Sequence, residues 1–495
     1  MYLCKSKENS MKRFRAMSKI KQVMCSILIL FLIYLLYVII SATLPFMGSP
    51  EVSQDYKDKF NPQKFYSENL GVDRAAIVET SQDALDVRLH MIEQAKHQIA
   101  ISSFSIKHDQ SCHELASTIL AAANRGVKVR ILVDGLTGYM DMDKDPIYYV
   151  LGTHPNIEIR FYNMLSLLRP WTVNGRLHDK YFIVDDQLLV LGGRNISDYF
   201  LGEYNLNSLS YDRDILVYNT KAGETGKESV LYEVLDYFDT VWNCEYSETV
   251  FNSIKDLKKE SLEAAKNSLE TLYRTLKKER SEVFLPIDYT KVTIATNKIT
   301  LVSNPIHIMT KQPYVLYELG ELMKHAKERV YIQTPYAVLN DDMYELLTQI
   351  RNNVPEFKML INSRAGGDNF CASSDYTLNQ KKILRTGVSI YEFQGAYSMH
   401  NKSLLIDDDI SVIGSYNLDM RSTYLDTEVM LVVHSKEFNQ KLATYIDAME
   451  AQSLPVNADG SYGTNGEVTP LLLTQGKRLL FDISSVFFQL IRYLL

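Results

Sequence analysis

Two stretches of this chain repeat one another. RLHDKYFIVDDQLLVLGGRN (176–195) and SMHNKSLLIDDDISVIGSYN (398–417) each hold His-x-Lys-x4-Asp and then, after a gap of six residues, Gly-Gly-x-Asn or Gly-Ser-x-Asn. His178 and His400 are 222 residues apart, as are Asn195 and Asn417. At average residue frequencies the three-residue pattern arises by chance about 0.03 times in a chain of this length. Two matching copies therefore mark a duplicated unit, and the fold must place two equivalent functional segments.

The flanking sequence has the same period. The helix-like DALDVRLHMIEQAKH (83–97) leads into the β-rich QIAISSFSI (98–106), and YVLYELGELMKHAKERVYIQTPY (314–336) aligns with it through Ala95-Lys96 and Ala326-Lys327. Helical and strand patterns alternate from residue 73 onward, which predicts an α/β fold in tandem halves. IKDLKKESLEAAKNSLETLYRTLKKER (254–280) reads as a helix with a solvated face joining them.

Strand geometry assigns roles. The residues after His-x-Lys are β-formers, so His178 and Lys180 share one face, as do His400 and Lys402. Asp185 and Asp407 stand at an odd spacing from their histidines and should either point away from them or occupy the following turn, as supporting residues. Each motif precedes another strand with an acid, DRDILVYN (212–219) and DTEVMLVV (426–433), and superposing these puts Asp214 on Glu428. An imidazole that acts as nucleophile or acid/base needs an acceptor on its second nitrogen, and Asp214 and Glu428 are the expected acceptors. Two histidines, with Lys180, Lys402, Asn195 and Asn417 as donors to phosphoryl oxygens, predict a phosphoryl-transfer site. No metal or other cofactor is required, since the lysines supply positive charge. The other eight histidines are expected to be structural; His108-Asp109 is the ambiguous case, because it follows a strand end where α/β sheets bind ligands.

Residues 23–47 carry no charge and are long enough to span a hydrocarbon core. Residues 1–22 hold seven basic side chains and one acid, which predicts a cytoplasmic N-terminus and catalytic domains outside; the alternative is a cleaved signal peptide. Of the net charge of -7, the remainder of the chain carries -13, a poor balance for gripping a nucleic-acid backbone. Five scattered cysteines show no CxxC spacing. MLSLLRPWTVNG (164–175) reads as an apolar loop beside His178, either folded into the core or dipping into lipid. KRLLFDISSVFFQLIRYLL (477–495) reads as an amphipathic helix whose Leu480, Ile483, Phe487, Leu490, Ile491 and Leu494 face either a lipid interface or their own domain.

The two motifs, with HPNIEIRFYN (154–163), TGVSIYEF (386–393) and GSYNLDMRSTYLDTE (414–428), resemble the phospholipase D superfamily and, more closely, its bacterial cardiolipin synthase-like branch. The resemblance implies two α/β/α sandwich lobes in tandem behind one transmembrane helix. It implies phosphatidyl transfer through a phosphohistidine; family habit favours His178 as nucleophile, and the symmetry of the motifs leaves His400 open. Phosphatidylglycerol would be donor and acceptor, or phosphatidylethanolamine would take part as in some relatives. Membrane phospholipids are thus the expected partners, and nucleic acid is not. The alternatives are a phospholipase D that uses water as acceptor, or a phosphodiesterase or nuclease of the same superfamily. Many relatives have two N-terminal spans and Gly-Ser-x-Asn in both halves; this chain has one span and Gly192-Gly193-Arg194-Asn195 in its first half. The expected division is a basic tail 1–22, a span 23–47, a connector 48–75, lobes 76–253 and 285–454 joined by a helical linker 254–284, and a loop with the amphipathic helix 455–495.

Overall fold

The computed structural model describes residues 2–143, 145–224, 227–253 and 259–495, with the backbone alone for residues 2–18 and 20. The uncharged run lies in one long helix, Tyr2–Thr43, followed by a 3-10 turn, Leu44–Phe46, where Pro45 ends the regular hydrogen bonding. Within Lys21–Phe46 the most apolar 18 residues have a mean hydropathy of 3.0 and their side chains lie outside the protein core, as a membrane helix requires.

Beyond it stand two sheets of the same design. The first runs in the order Ile294–Ala295, Asp73–Val78, Asp214–Asn219, Leu188–Gly192, Tyr181–Val184, Gln98–Ser103, Lys128–Asp134, Ile157–Tyr162, Ser247–Val250. The second runs Lys298–Ser303, Val429–His434, Ile410–Gly414, Ser403–Ile406, Arg329–Gln333, Glu356–Asn362, Ser389–Phe393, Ser453–Pro455. Strand for strand the second order reproduces the first, apart from the two-residue edge strand Ile294–Ala295. That edge strand comes from the second half of the chain and pairs with Arg74 and Ala75. Helices cover both faces, giving the α/β/α layering expected of each half.

The lobes share a core. Tyr181, Leu189, Ile215 and Val217 of the first sheet are buried in one cluster with Leu405, Ile413, Leu431 and Val433 of the second. The helices Val230–Asn243 and Lys436–Glu450 supply Val234, Phe238, Leu442 and Ile446 to that cluster. Arg213 ties the lobes with polar contacts: it pairs with Glu79 in its own lobe and donates to Gln333 Oε1 (2.6 Å) and Ser403 Oγ (3.0 Å) in the other.

The connector is more structured than its polar sequence suggests. Its Phe65 is fully buried in the second lobe's core before the chain crosses to begin the first sheet. The linker helix is Lys259–Glu279, and it docks on the first lobe through Leu269 and Leu276; residues 254–258 of the predicted helix lie outside the described residues.

Candidate active site

Each histidine motif enters the site as an extended segment just before a short buried strand, Tyr181–Val184 or Ser403–Ile406. These segments are not held by their own lobes alone. Leu177 bridges Thr427 of the second lobe, and the His178 N–H donates to Thr427 Oγ1 (3.0 Å). Reciprocally, Ser398–Met399 pairs with Ser210–Tyr211 of the first lobe, and the His400 N–H donates to the Tyr211 carbonyl (2.6 Å). The lobes thereby exchange segments, and the exchange decides which acid meets which histidine.

His178 Nδ1 lies 2.8 Å from Glu428 Oε1, and His400 Nδ1 lies 2.6 Å from Asp212 Oδ2. Both contacts cross between lobes. Glu428 is therefore an imidazole partner, as its place in the sequence suggested, but Asp214 is not. Asp214 is fully buried against Arg88 (2.9 Å) and Arg194 (3.2 Å), where it neutralises two guanidinium groups under the first sheet. The register explains the substitution. Gly192 pairs with Asp214, whereas its counterpart Gly414 pairs with Met430, so the residue equivalent to Glu428 is Asp212. Two acids two residues apart, DRD against DTE, made the wrong superposition look natural; counting back from the apolar runs ILV and LVV would have found Asp212.

The loss of a methylene from Glu to Asp is met by a second exchange. Ser415 donates its hydroxyl to Glu428 in the second half. Its counterpart is Gly193, where a Cβ would stand 2.4 Å from Asp212 Oδ1. The shorter acid occupies the space that a serine side chain would take. The Gly-Gly-x-Asn variant is thus coupled to the aspartate.

The lysines lie beside their histidines. Lys180 Nζ donates to the His178 carbonyl (2.5 Å), and Lys402 Nζ lies 2.7 Å from His400 Nδ1 and also meets the His400 carbonyl. Both are buried. The side-chain oxygens of Asn195 and Asn417 are buried without a partner among the described residues, so each amide has hydrogen-bonding capacity the protein does not use. Phe104 packs edge-on against His178 and Phe200 against His400, at 5.4 and 5.1 Å between ring centres. Neither aromatic residue was singled out by the sequence reading.

Asp185 and Asp407 sit in the turns after the short strands, both with φ near +50°, a conformation aspartate tolerates better than most residues. Asp185 accepts from the backbone N–H groups of Lys96, His97 and Gln98, at 2.8–2.9 Å. Asp407 does the same for Lys327, Glu328 and Arg329, at 2.8–3.2 Å. They stitch each turn to the start of the neighbouring strand, at the repeated Ala-Lys positions. His108 pairs with Asp145 at the surface, and Asp109 caps the helix Gln110–Asn124. Among the described residues no cluster of His, Cys, Asp or Glu is arranged to hold a metal ion.

Burial sets the electrostatics. It drives both imidazoles toward the neutral form, well below the usual range for His178, with Lys180 and Lys402 adding to the cost of charging the ring beside them. It also pushes Lys180 down to about 7 and Glu428 up to about 8. Asp212 differs. Burial acts against its charge, but Lys402 and His400 outweigh burial and hold the carboxyl at about 2.

Residues 89–242 and 319–450 match the family model described as cardiolipin synthase, PLD-like domain. Cardiolipin synthase C of Escherichia coli is 30% identical over 414 residues, which cover 76% of this chain and 84% of the relative. An uncharacterized protein of Helicobacter pylori is 27% identical over 414 residues, covering 76% and 79%. Among solved structures, the phosphatidylserine synthase of Haemophilus influenzae superposes with a TM-score of 0.61 at 14% identity, covering 88% of this chain and 99% of that one, a likeness of fold. The chain belongs to the cardiolipin synthase family of phospholipase D-like enzymes.

Proposed function

We propose that this protein is a membrane-anchored phosphatidyltransferase that makes cardiolipin from phosphatidylglycerol, or from phosphatidylglycerol and phosphatidylethanolamine, through a phosphohistidine. The observation that carries the reading is the pair of crossed His–carboxylate contacts, each with a buried lysine beside it. One imidazole must be neutral to attack phosphorus, and the other must carry a proton for the leaving alcohol. The firmly ionised Asp212 offsets part of the burial cost of charging His400, and so supports His400 as the proton carrier of the pair. Glu428, itself inclined to hold a proton, leaves His178 as the neutral nucleophile.

In this scheme His178 Nε2 forms a bond to phosphorus as the P–O bond to the departing headgroup breaks, and His400 gives that oxygen its proton. His400 then takes the proton of an incoming phosphatidylglycerol hydroxyl, whose oxygen displaces His178. Lys180, Lys402, Asn195 and Asn417 offset the charge on the equatorial oxygens. Asp185 and Asp407 act at a distance, by fixing the turns.

Full-length protein reconstituted with phosphatidylglycerol, with and without phosphatidylethanolamine, tests the reading. Cardiolipin as product supports it; phosphatidic acid alone supports the hydrolase instead. The basic residues before the membrane helix favour a cytoplasmic N-terminus, with the lobes on the other side. Protease added outside intact spheroplasts should then cut the lobes, and protection would reverse the orientation.

A further inference from the structure

Three elements far apart in sequence meet at one place. Phe46, where the membrane helix ends, is buried with Met420, Tyr424 and Leu425 of the second lobe, and both Trp171 and the C-terminal Leu494 pack on that cluster. The elements that carry Trp171 and Leu494 each present bare apolar surface beside it.

The tip of the segment 164–175, residues 165–169, lies along the membrane helix, while Pro170, Thr172, Asn174 and Gly175 anchor it in the core. Tyr34 donates its hydroxyl to the Leu167 carbonyl and Tyr37 to that of Leu168, both at 2.8 Å, and Asn174 donates to the Ala42 carbonyl at 2.8 Å. Tyr34 is nine residues before the helix end at Thr43, about 13 Å along the axis, inside the span. Irregular backbone survives at that depth only where its polar groups are satisfied, and the two tyrosines do this for the loop tip. The Leu167 and Leu168 side chains, 81% and 82% exposed, meet no protein.

The C-terminal helix Gln475–Phe488 has two stripes. Phe481 and Ser485 are buried against the second lobe, and Gln489 and Arg492 continue that side onto Asp375. On the opposite side Leu479, Leu480, Ile483, Val486, Phe487 and Leu490 are exposed. Lys477 and Arg478 stand in the first turn, where the helix dipole disfavours cations, and make no ion pair among the described residues. An apolar stripe with unpaired cations at its end matches acyl chains beneath anionic headgroups.

We propose that the loop 164–175 and the helix Gln475–Phe488 are both embedded in the leaflet where the membrane helix ends, so that the catalytic lobes sit partly sunk in the bilayer at three points. The occupant of both apolar surfaces is lipid. This rests on the membrane helix and its contacts, not on the reaction, so its failure would leave phosphatidyl transfer untouched.

Tryptophan fluorescence of the full chain tests it, in vesicles of phosphatidylglycerol and phosphatidylethanolamine with or without bromine on the acyl chains. The chain has two tryptophans. Trp171→Phe leaves Trp242, buried against Phe238, as a baseline that also reports folding. Adding Leu168→Trp or Phe487→Trp places a reporter on each surface. Bromine should lower the added emission about twofold or more at both positions. Unquenched, red-shifted emission at either reporter would mean water, and unquenched, blue-shifted emission would mean cover by protein, a second copy included. Either result, with the Trp242 signal intact, overturns three-point insertion.

Discussion

The two halves of the site use the same parts with opposite electrostatic outcomes. In one, His400 faces Asp212, which lies on the bare backbone of Gly193 and stays ionised down to about pH 2. In the other, His178 faces Glu428, which is held by a serine hydroxyl and pushed up to about 8. A duplicated fold supplies two equivalent histidines, and the proposed reaction needs one nucleophile and one acid. Both acids are fully buried, but Lys402, His400 and Arg194 together outweigh the burial of Asp212, whereas Lys180 and Ser415 do not outweigh that of Glu428. The crossing of the contacts also makes each half incomplete without the other.

If that division holds, the largest effect is loss of either histidine. His178→Ala and His400→Ala should each lower turnover by about 10⁴ or more, since neither ring can serve as nucleophile and acid at once. Trapping an acid-labile phosphatidyl adduct in the folded wild-type protein should place it on His178; an adduct on His400 would reverse the assignment of halves. Next come the orienting acids. Asp212→Asn should cut kcat by roughly 10²–10⁴ with a smaller change in KM, because the amide bonds to the ring but stabilises imidazolium less, whereas Glu428→Gln, which mimics the protonated acid, should cost less. Asp214→Asn, Asp185→Asn and Asp407→Asn should appear mainly as a lower melting temperature. A large kcat loss in Asp214→Asn at unchanged stability would restore that residue to the site.

The exchange of Ser-Glu for Gly-Asp can be tested as a unit. Gly193→Ser drives its Cβ into the Asp212 carboxylate and should reduce kcat, and Asp212→Glu alone overfills the same space. The double variant Gly193→Ser/Asp212→Glu copies the second half into the first and should recover part of the loss, with a coupling of about 1–3 kcal/mol in kcat/KM. Strict additivity of the two losses would show that the glycine and the aspartate are independent.

Much of this site was legible in the sequence. The 222-residue offset located both histidines and both lysines, and strand parity set Asp185 and Asp407 apart from them, either turned away or in the following turn, where the structure has them. The acids were harder because the pattern after each motif is not conserved in length: Gly192 to Asp212 is six residues longer than Gly414 to Glu428, and a neighbouring acid offered a false match. Which lobe serves which histidine could not be read at all. It depends on a pairing between Leu177 and Thr427, 250 residues apart, that leaves no local periodicity. For the same reason Phe65 reads as part of a polar connector although it is fully buried in the second lobe. The C-terminal helix was seen as amphipathic, but its burial depends on Phe481 and Ser485, while Leu480, Ile483, Phe487 and Leu490 stay outside.

The smallest effect is on stability, and there the two acids should differ in sign. Asp212 has a depressed pKa, so its charge stabilises the fold above the unfolded value near 3.8, and that contribution is lost as pH falls toward 2. Replacing it by Asn should therefore cost about 2 kcal/mol at neutral pH, and less as pH falls below 4. Glu428 has a raised pKa. Its protonated form is the one the fold accepts, so its contribution is complete below the unfolded value near 4.5 and is lost as pH rises toward about 8. Gln mimics that protonated form at every pH. The melting temperature of Glu428→Gln, relative to the parent, should rise steadily between pH 5 and 8, while that of Asp212→Asn stays below the parent across the same range. Parallel pH profiles for the two variants would mean that the halves are electrostatically alike, and the choice of His178 as nucleophile would lose its physical basis.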